Sequence, residues 1–276
     1  CCPPLGSAVV PEVYDVSSAS AGDTSRVSAG RSAASSTVTP PVSWAQRGRG
    51  GSGSARLYSW EADVRGALAV VDSTGARSLP VVGHSKGGSL MLHLAESLPH
   101  RVSHLVNLDG LPSARSWPDV AEHNRTRMVN SELTSWLEHR RAAATKVRRP
   151  GTIEELARRR GLMNPRLDPA WLQYLVQIGA FESDDGWRWK IDASMRMGGF
   201  GPWRPEWSMA RLPSLGMPVL CVLGLQLEVM GWGTLPEDVH HHLPPGGRFV
   251  ALDDVGHFVH IEQPAAVAEL ILDLLQ

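Results

Sequence analysis

A serine lies between two glycines in the segment GHSKG, residues 83–87, directly after the apolar run at 79–82. A serine at the tip of a tight strand-to-helix turn is typical of a catalytic nucleophile, and glycines beside it let backbone and helix approach closely. The simpler interpretation is that Ser85 only caps the following helix, because Gly and Ser are common turn residues. The motif is short, so its context has to decide between the two.

Nucleophilic catalysis by Ser85 would require a neighbouring base. A serine hydroxyl is a weak nucleophile at neutral pH and is activated by a base that a carboxylate orients. His257 follows a strand pattern and lies in a Gly-His turn, so it can project over a sheet edge. We expect His260, three residues later, to be structural or at the surface. Ser85 and His257 together favour the nucleophile over the helix cap.

The elements around Ser85 alternate between helix and strand. Ser59 can cap a helix that stops at Gly75, and a strand at 79–84, a second helix and a strand at 103–110 follow. This spacing indicates parallel strands buried on both faces. Ser85 then lies at the carboxyl edge of the sheet, where open α/β sheets bind ligands.

The alternation is interrupted in the middle of the chain. Residues 113–210 are mainly helical in pattern, and strand signals return at 217–224 and 247–258. We therefore predict an α/β fold with a mostly parallel sheet flanked by helices. Its core comprises residues 45–112 and 211–276, and residues 113–210 form a helical cap insertion.

From about Gln46 to its end, the chain resembles the α/β-hydrolase superfamily, in the form that carries a cap. Three motifs carry the resemblance in the expected order: RGRGGS at 47–52, GHSKG at 83–87 and VGHFVHIEQP at 255–264. The first is similar to the loop that follows the family's fourth strand, the second to the nucleophile turn and the third to the terminal histidine loop. The joint match is more specific than any single motif.

The resemblance implies roles for individual residues. Ser85 is the nucleophile, His257 the general base, and the backbone N–H of Lys86 one donor of the oxyanion hole. In the family the acid usually follows the strand before the last one, and we predict Glu228 in that position. Asp109, at the end of the strand predicted at 103–110, is the alternative, since some relatives have the acid at that position. An Asp-Gly pair also forms ordinary turns.

The same resemblance narrows the reaction. Relatives that open epoxides or displace halide carry aspartate where this chain has Ser85, so acyl transfer from an ester, lactone, thioester or amide to water is expected. Aromatic residues of the insertion could roof an apolar acyl chain, or simply pack the insertion onto the core. They are Trp187, Trp189, Phe200, Trp203 and Trp207.

Residues 1–44 differ from the rest of the chain. They are rich in Ser, Ala, Val, Thr and Pro and contain no lysine. The His-Gly loop that supplies the second oxyanion donor in relatives is missing, since the first histidine is His84. We expect this segment to be non-homologous and poorly ordered. A second hypothesis therefore stays open: a catalytically impaired hydrolase-fold protein that binds a ligand under its cap, or a defective gene product.

Composition limits the partners. A chain of 276 residues with 42% hydrophobic residues can bury a full core, and its net charge of −1 does not favour nucleic acid. No apolar run reaches the roughly 18 residues of a membrane span. Cys1 and Cys2 open the chain without a methionine, which we interpret as a truncated reading rather than a lipoprotein, and we expect a cytoplasmic protein. We expect a small-molecule substrate, and we expect no cofactor.

Neither metal nor disulfide chemistry is favoured. Three adjacent residues cannot all point to one ion, so His240–His242 do not predict a metal site. Three cysteines make no disulfide framework, and Cys221 lies in an apolar run as a buried thiol.

Overall fold

The helices and strands are taken from a computed structural model that describes residues 42–55, 58–112, 125–146, 148–195 and 207–276. The first part of the core contains α1 (Trp60–Ser73), β1 (Leu79–His84), α2 (Lys86–Ser97) and β2 (Val102–Leu108). The middle contains α3 (Arg125–Thr145), α4 (Ile153–Gly161), α5 (Pro169–Gly179), β3 (Ala180–Ser183), β4 (Gly186–Trp189) and α6 (Trp207–Arg211). The last part contains β5 (Val219–Gly224), α7 (Pro236–His240), β6 (Arg248–Leu252), α8 (Val259–Glu262) and α9 (Pro264–Leu274).

The main sheet contains four parallel strands among the described residues, in the order β1-β2-β5-β6. Parallel neighbours need crossovers, and α2 supplies the one from β1 to β2. Because all four strands run the same way, their carboxyl ends lie along one edge. The predicted α/β fold with a mostly parallel sheet is confirmed.

Strand β5 shows why both faces of the sheet are covered. Successive side chains of a strand point to opposite faces. Val219 and Cys221 accordingly join the core cluster that contains residues of α1 and α2, whereas Leu220 and Val222 join the cluster that contains Val259 and α9. Cys221 is buried as predicted, and burial raises the pKa of its thiol to about 12.

Helix α1 begins at a conventional cap. The Ser59 hydroxyl accepts a hydrogen bond from the backbone N–H of Ala62, and Glu61 and Asp63 lie in the first turn, where they complement the helix dipole. The predicted helix start at Ser59 is confirmed.

Between β2 and β5 the described part of the chain forms helices and one antiparallel hairpin, β3-β4, which the sequence pattern did not predict. The insertion has a core of its own, in which Leu156 and Val176 are fully buried, and Phe258 and Ile261 from the chain after β6 join it. The insertion therefore packs against the segment that carries His257. Residues 113–124 and 196–206 lie outside the described residues, so the insertion's boundaries stay predictions.

Residues 1–41 also lie outside the described residues, and with them the expectation for most of segment 1–44. Among the helices that the structure describes, none is both long enough and apolar enough to cross a membrane.

Candidate active site

Ser85 occupies the turn between β1 and α2 in a backbone conformation that few non-glycine residues adopt. Its φ is 53° and its ψ −123°, and its side chain makes no capping hydrogen bond to α2. The helix-cap interpretation therefore does not describe this serine. A strained residue at the carboxyl edge of a sheet, with its hydroxyl turned away from its own helix, is instead typical of a functional site.

The glycines around Ser85 have different reasons to be there. A Cβ on Gly83 would lie 2.2 Å from the Gly87 carbonyl oxygen, and one on Gly88 would lie 2.9 Å from Oδ1 of Asn107. A Cβ on Gly87 would meet nothing within 4 Å. We predicted that a side chain at either Gly83 or Gly87 would crowd the turn. This is right for Gly83 and wrong for Gly87, and it is Gly88 at which a side chain would collide with strand β2.

Strand β2 holds the turn in place. The Ser85 N–H donates to the Leu108 carbonyl at 2.9 Å, and the Ser89 hydroxyl donates to the Gly110 carbonyl at 2.6 Å. The Gly110 N–H in turn donates to Oδ1 of Asn107 at 2.8 Å. These bonds continue the pairing of β1 with β2 beyond the sheet, so Ser85 is fixed relative to the residue that ends β2.

His257 connects Ser85 with Asp109. Its Nε2 lies 2.8 Å from the Ser85 Oγ, and its Nδ1 lies 2.6 Å from the Asp109 Oδ2. His257 and Asp109 are only 2% and 7% exposed. A carboxylate accepts and does not donate, so Nδ1 carries the proton and Nε2 is free to accept the serine proton.

Glu228 does not contact the His257 imidazole. The prediction that Glu228, rather than Asp109, is the acid that orients this ring is therefore wrong. Its Oε2 accepts a hydrogen bond from the backbone N–H of His257 at 2.6 Å. The strand order explains the difference. The chain after β6 crosses β5 and β2 to bring the His257 ring to Ser85. Asp109 follows β2 and meets the ring, whereas Glu228 follows β5 and meets the backbone behind it.

The electrostatics of Asp109 depend on its partner. Burial raises the pKa of this carboxyl, while the hydrogen bond to His257 and the charge of His257 lower it. A nearby Glu228 adds a further, smaller raising effect. The net effect is a pKa above the ordinary value, and the imidazole that Asp109 contacts opposes the effect of burial.

His84 contacts the backbone of the loop that carries His257. Its Nε2 lies 2.8 Å from the His257 carbonyl oxygen, and its ring centroid lies 4.7 Å from that of His257. Burial, and after it the neighbouring His260 and His257, hold the pKa of His84 well below its ordinary value. The ring is therefore neutral, and the carbonyl requires the proton on Nε2, which donates.

We expected His260 to be structural or at the surface, and the structure places it in the interior. It is 9% exposed, and its ring lies edge-on to His84 with centroids 4.5 Å apart. Neither ring nitrogen has a hydrogen-bond partner within the described part of the chain. Burial lowers the pKa of His260 to about 4.

Lys86 opens α2 next to the nucleophile. The first N–H groups of a helix have no intrahelical acceptor, and Lys86 is the first residue of α2. Its ammonium lies 2.6 Å from the Asp63 carboxylate and 4.9 Å from the centre of the Trp60 ring. This partly buried pair ties α2 to α1 and had no signal in the sequence beyond an acidic first turn of α1. Residues 1–41, which include most of the segment in which we expected the second oxyanion donor of relatives to be missing, lie outside the described residues.

The aromatic residues of the insertion divide into two groups. Trp187 and Trp189 on β4 pack against the insertion's own core, a cluster that Phe258 and Ile261 of the main domain also join. Phe200 and Trp203 lie outside the described residues, and so does the side chain of Trp207. No role as a roof is visible for the two that are described.

Metal binding has no support in the described ranges, which contain no group of three or more His, Cys, Asp or Glu side chains placed to hold an ion. His240, the first of the three adjacent histidines, instead packs edge-on against Phe249 with ring centroids 4.9 Å apart.

Comparison with known proteins identifies a matching family and several similar chains. The model of the alpha/beta hydrolase family matches residues 19–270, so the match begins inside the segment that we expected to be non-homologous. A curated Bacillus subtilis (strain 168) protein, named putative 2-succinyl-6-hydroxy-2,4-cyclohexadiene-1-carboxylate synthase, is 22% identical over 220 residues. That match covers 80% of this chain and 74% of the relative.

Solved structures share the fold at low identity. The thioesterase domain from the curacin biosynthetic pathway is 23% identical with a TM-score of 0.66, over 82% of this chain and 79% of that one. A novel esterase from Mycobacterium tuberculosis is 22% identical with a TM-score of 0.59, over 83% of this chain and 73% of that one. At such identities these likenesses describe the fold alone.

Proposed function

The chain belongs to the alpha/beta hydrolase family, and on that premise we propose that it is a serine hydrolase that cleaves a small or medium apolar carboxylic ester through an acyl-enzyme on Ser85. The observation that carries the proposal is the hydrogen-bonded series from Ser85 through His257 to Asp109. Lactones, thioesters and amides share the chemistry, and the names of two similar structures, an esterase and a thioesterase domain, agree with it.

The first half of the reaction forms the acyl-enzyme. The Ser85 Oγ attacks the carbonyl carbon of the ester while its proton passes to Nε2 of His257. The resulting imidazolium is stabilised by Asp109, which keeps its hydrogen bond to Nδ1–H. When the tetrahedral intermediate collapses, the C–O bond to the alcohol breaks and Nε2 returns its proton to the alkoxide.

The second half regenerates the enzyme. Water takes the place of the alcohol, gives a proton to Nε2 of His257 and attacks the acyl carbon. Collapse of the second intermediate breaks the bond to Oγ of Ser85, which recovers the proton from His257, and the carboxylic acid leaves. In both halves the backbone N–H of Lys86 donates to the oxyanion, as the position of Lys86 at the start of α2 allows.

The proposal is tested by turnover of a p-nitrophenyl ester series of increasing acyl length. We expect hydrolysis in the wild type and its loss, by several orders of magnitude, in Ser85→Ala. Ser73→Ala is the matched control, because Ser73 is an exposed serine at the end of α1 whose hydroxyl donates to the Val70 carbonyl. A protein that binds an ester stably and hydrolyses none of the series would be the ligand-binding alternative.

A further inference from the structure

Arg166, in the segment between α4 and α5, spans the two ends of the loop that carries His257. Its Nε lies 2.8 Å from the Glu262 Oε2, and its Nη2 donates to the Asp254 carbonyl oxygen. Asp254 opens the loop with a φ of 52°, a conformation in the left-handed region. The guanidinium therefore holds both the strained start of the loop and the helix that ends it.

Two carboxylates hold successive amides of the same loop. The Glu262 Oε1 accepts from the Gly256 N–H at 3.0 Å, and the Glu228 Oε2 accepts from the His257 N–H at 2.6 Å. Hydrogen bonds to an ionised acceptor are shorter and stronger than neutral ones. The backbone that bears the imidazole is thus fixed by charged groups on one side and by His84 on the other.

The side chains of Glu228 and Arg166 fill the space next to the Gly256 Cα. A Cβ on Gly256 would lie 2.4 Å from Oε2 of Glu228 and 2.7 Å from Cδ of Arg166. Two carboxylates directed at one turn repel each other, and Arg166 interacts electrostatically with both Glu262 and Glu228. Removing the cation leaves this arrangement without the charge that draws the carboxylates together.

We propose that Arg166 is a positioning residue for His257, acting through Glu262 and Asp254, and that it couples the insertion to the hydrolytic site; this inference rests on the proposed function. Arg166 contacts the loop and not Ser85, Asp109 or the His257 ring. Its loss therefore misplaces the base and lowers kcat, with little effect on KM.

The kinetic test compares Arg166→Ala with Arg101→Ala. Arg101 makes the same kind of contacts far from His257: its Nη1 lies 2.8 Å from Oδ1 of Asp72, and its Nη2 donates to the Ala76 carbonyl at 3.3 Å. We expect Arg166→Ala to lower kcat for a p-nitrophenyl ester roughly 10- to 100-fold with KM nearly unchanged. Arg101→Ala should keep the wild-type kcat.

Glu262→Gln separates the ion pair from the hydrogen bond. The amide oxygen can still accept from the Gly256 N–H, but the charge opposite Arg166 is gone. We expect a fall in kcat similar to that of Arg166→Ala, and little further loss in the double variant, since the two residues act as one unit. Independent, additive losses would contradict the relay through Glu262.

A spectroscopic measurement keeps the inference separate from the proposed function. The proton on Nδ1 of His257, bonded to Asp109, gives a downfield NMR resonance that should move in Arg166→Ala and not in Arg101→Ala. A shifted resonance in a protein that hydrolyses no ester would support the positioning role while removing the proposed function. Wild-type turnover together with an unmoved resonance and an unchanged kcat in Arg166→Ala would overturn the positioning role.

Discussion

The Asp109 carboxylate lies 2.6 Å from Nδ1 of the His257 ring, although the two residues are 148 positions apart in the chain. Both are buried, so each is the main compensation for the other's desolvation. The register of β1 with β2 pairs His84 with Leu108, and its continuation places Asp109 beside Ser85. The imidazole is therefore held between two residues that follow neighbouring strands.

Asp109→Asn should lower kcat by about 10⁴-fold, because an amide favours the wrong tautomer of His257 while the geometry is retained. Glu228→Gln should cost much less, since an amide oxygen can still accept from the His257 N–H. Steady-state kinetics of both variants on one p-nitrophenyl ester make the comparison. A larger loss in Glu228→Gln would restore Glu228 as the orienting acid.

The two glycines of the GHSKG motif should respond oppositely to alanine. Gly83→Ala places a Cβ 2.2 Å from backbone and should reduce both activity and thermal stability. Gly87→Ala places a Cβ in open space in the first turn of α2, where alanine is the better helix former, and should stabilise the protein by about 0.5–1 kcal/mol. Thermal unfolding of the two variants is the measurement, and equal destabilisation would contradict the turn described for Ser85.

The Lys86–Asp63 pair should matter for stability more than a surface pair would, because the side chains are 16% and 8% exposed. Asp63→Asn leaves the ammonium without its counter-ion and should destabilise the protein by about 3 kcal/mol in urea unfolding. Burial already lowers the pKa of Lys86, an effect that Asp63 opposes. Removing both charges in Lys86→Met/Asp63→Leu should recover part of the loss; a double variant as unstable as Asp63→Asn would contradict this account.

The free energy of unfolding should decrease as the pH falls, because the buried His84 and His260 resist protonation in the folded state. Burial lowers the pKa of His260 from an ordinary 6.5 to about 4, so the unfolded chain binds the proton first. The free energy of unfolding is then highest above pH 6.5 and decreases by about 3 kcal/mol as the pH falls to about 4. The lowered pKa of His84 acts in the same direction, while the raised pKa of Asp109 acts against it.

Urea unfolding of His260→Leu across this pH range is the measurement. The variant should lose much of the slope, whereas His100→Leu, which replaces an exposed histidine after α2, should keep it. Identical slopes in the two variants would show that His260 does not carry the effect.

Local patterns sufficed for much of the fold and for two residues of the site. Ser85 lies in a turn whose strand, glycines and helix are neighbours in sequence, and His257 follows the last strand in a Gly-His turn. The choice between Asp109 and Glu228 depended on which strands lie between β1 and β6, which is set by non-local pairing.

Other features had no local signal at all. Arg166 is one of many arginines in the chain, and its contact with Glu262 depends on how the insertion packs against the segment after β6. The β3-β4 hairpin has strands of only four residues each, too short for alternation to be distinguished from a loop. Tertiary packing decided both.

In the proposed mechanism, His257 makes Ser85 nucleophilic by accepting its proton. The most direct measurement is the rate at which a fluorophosphonate probe labels the protein, with the modified residue located by peptide mass spectrometry. We predict stoichiometric labelling of Ser85 in the wild type and a rate several orders of magnitude lower in His257→Ala. Labelling of another residue, or labelling of Ser85 at an equal rate in His257→Ala, would contradict it.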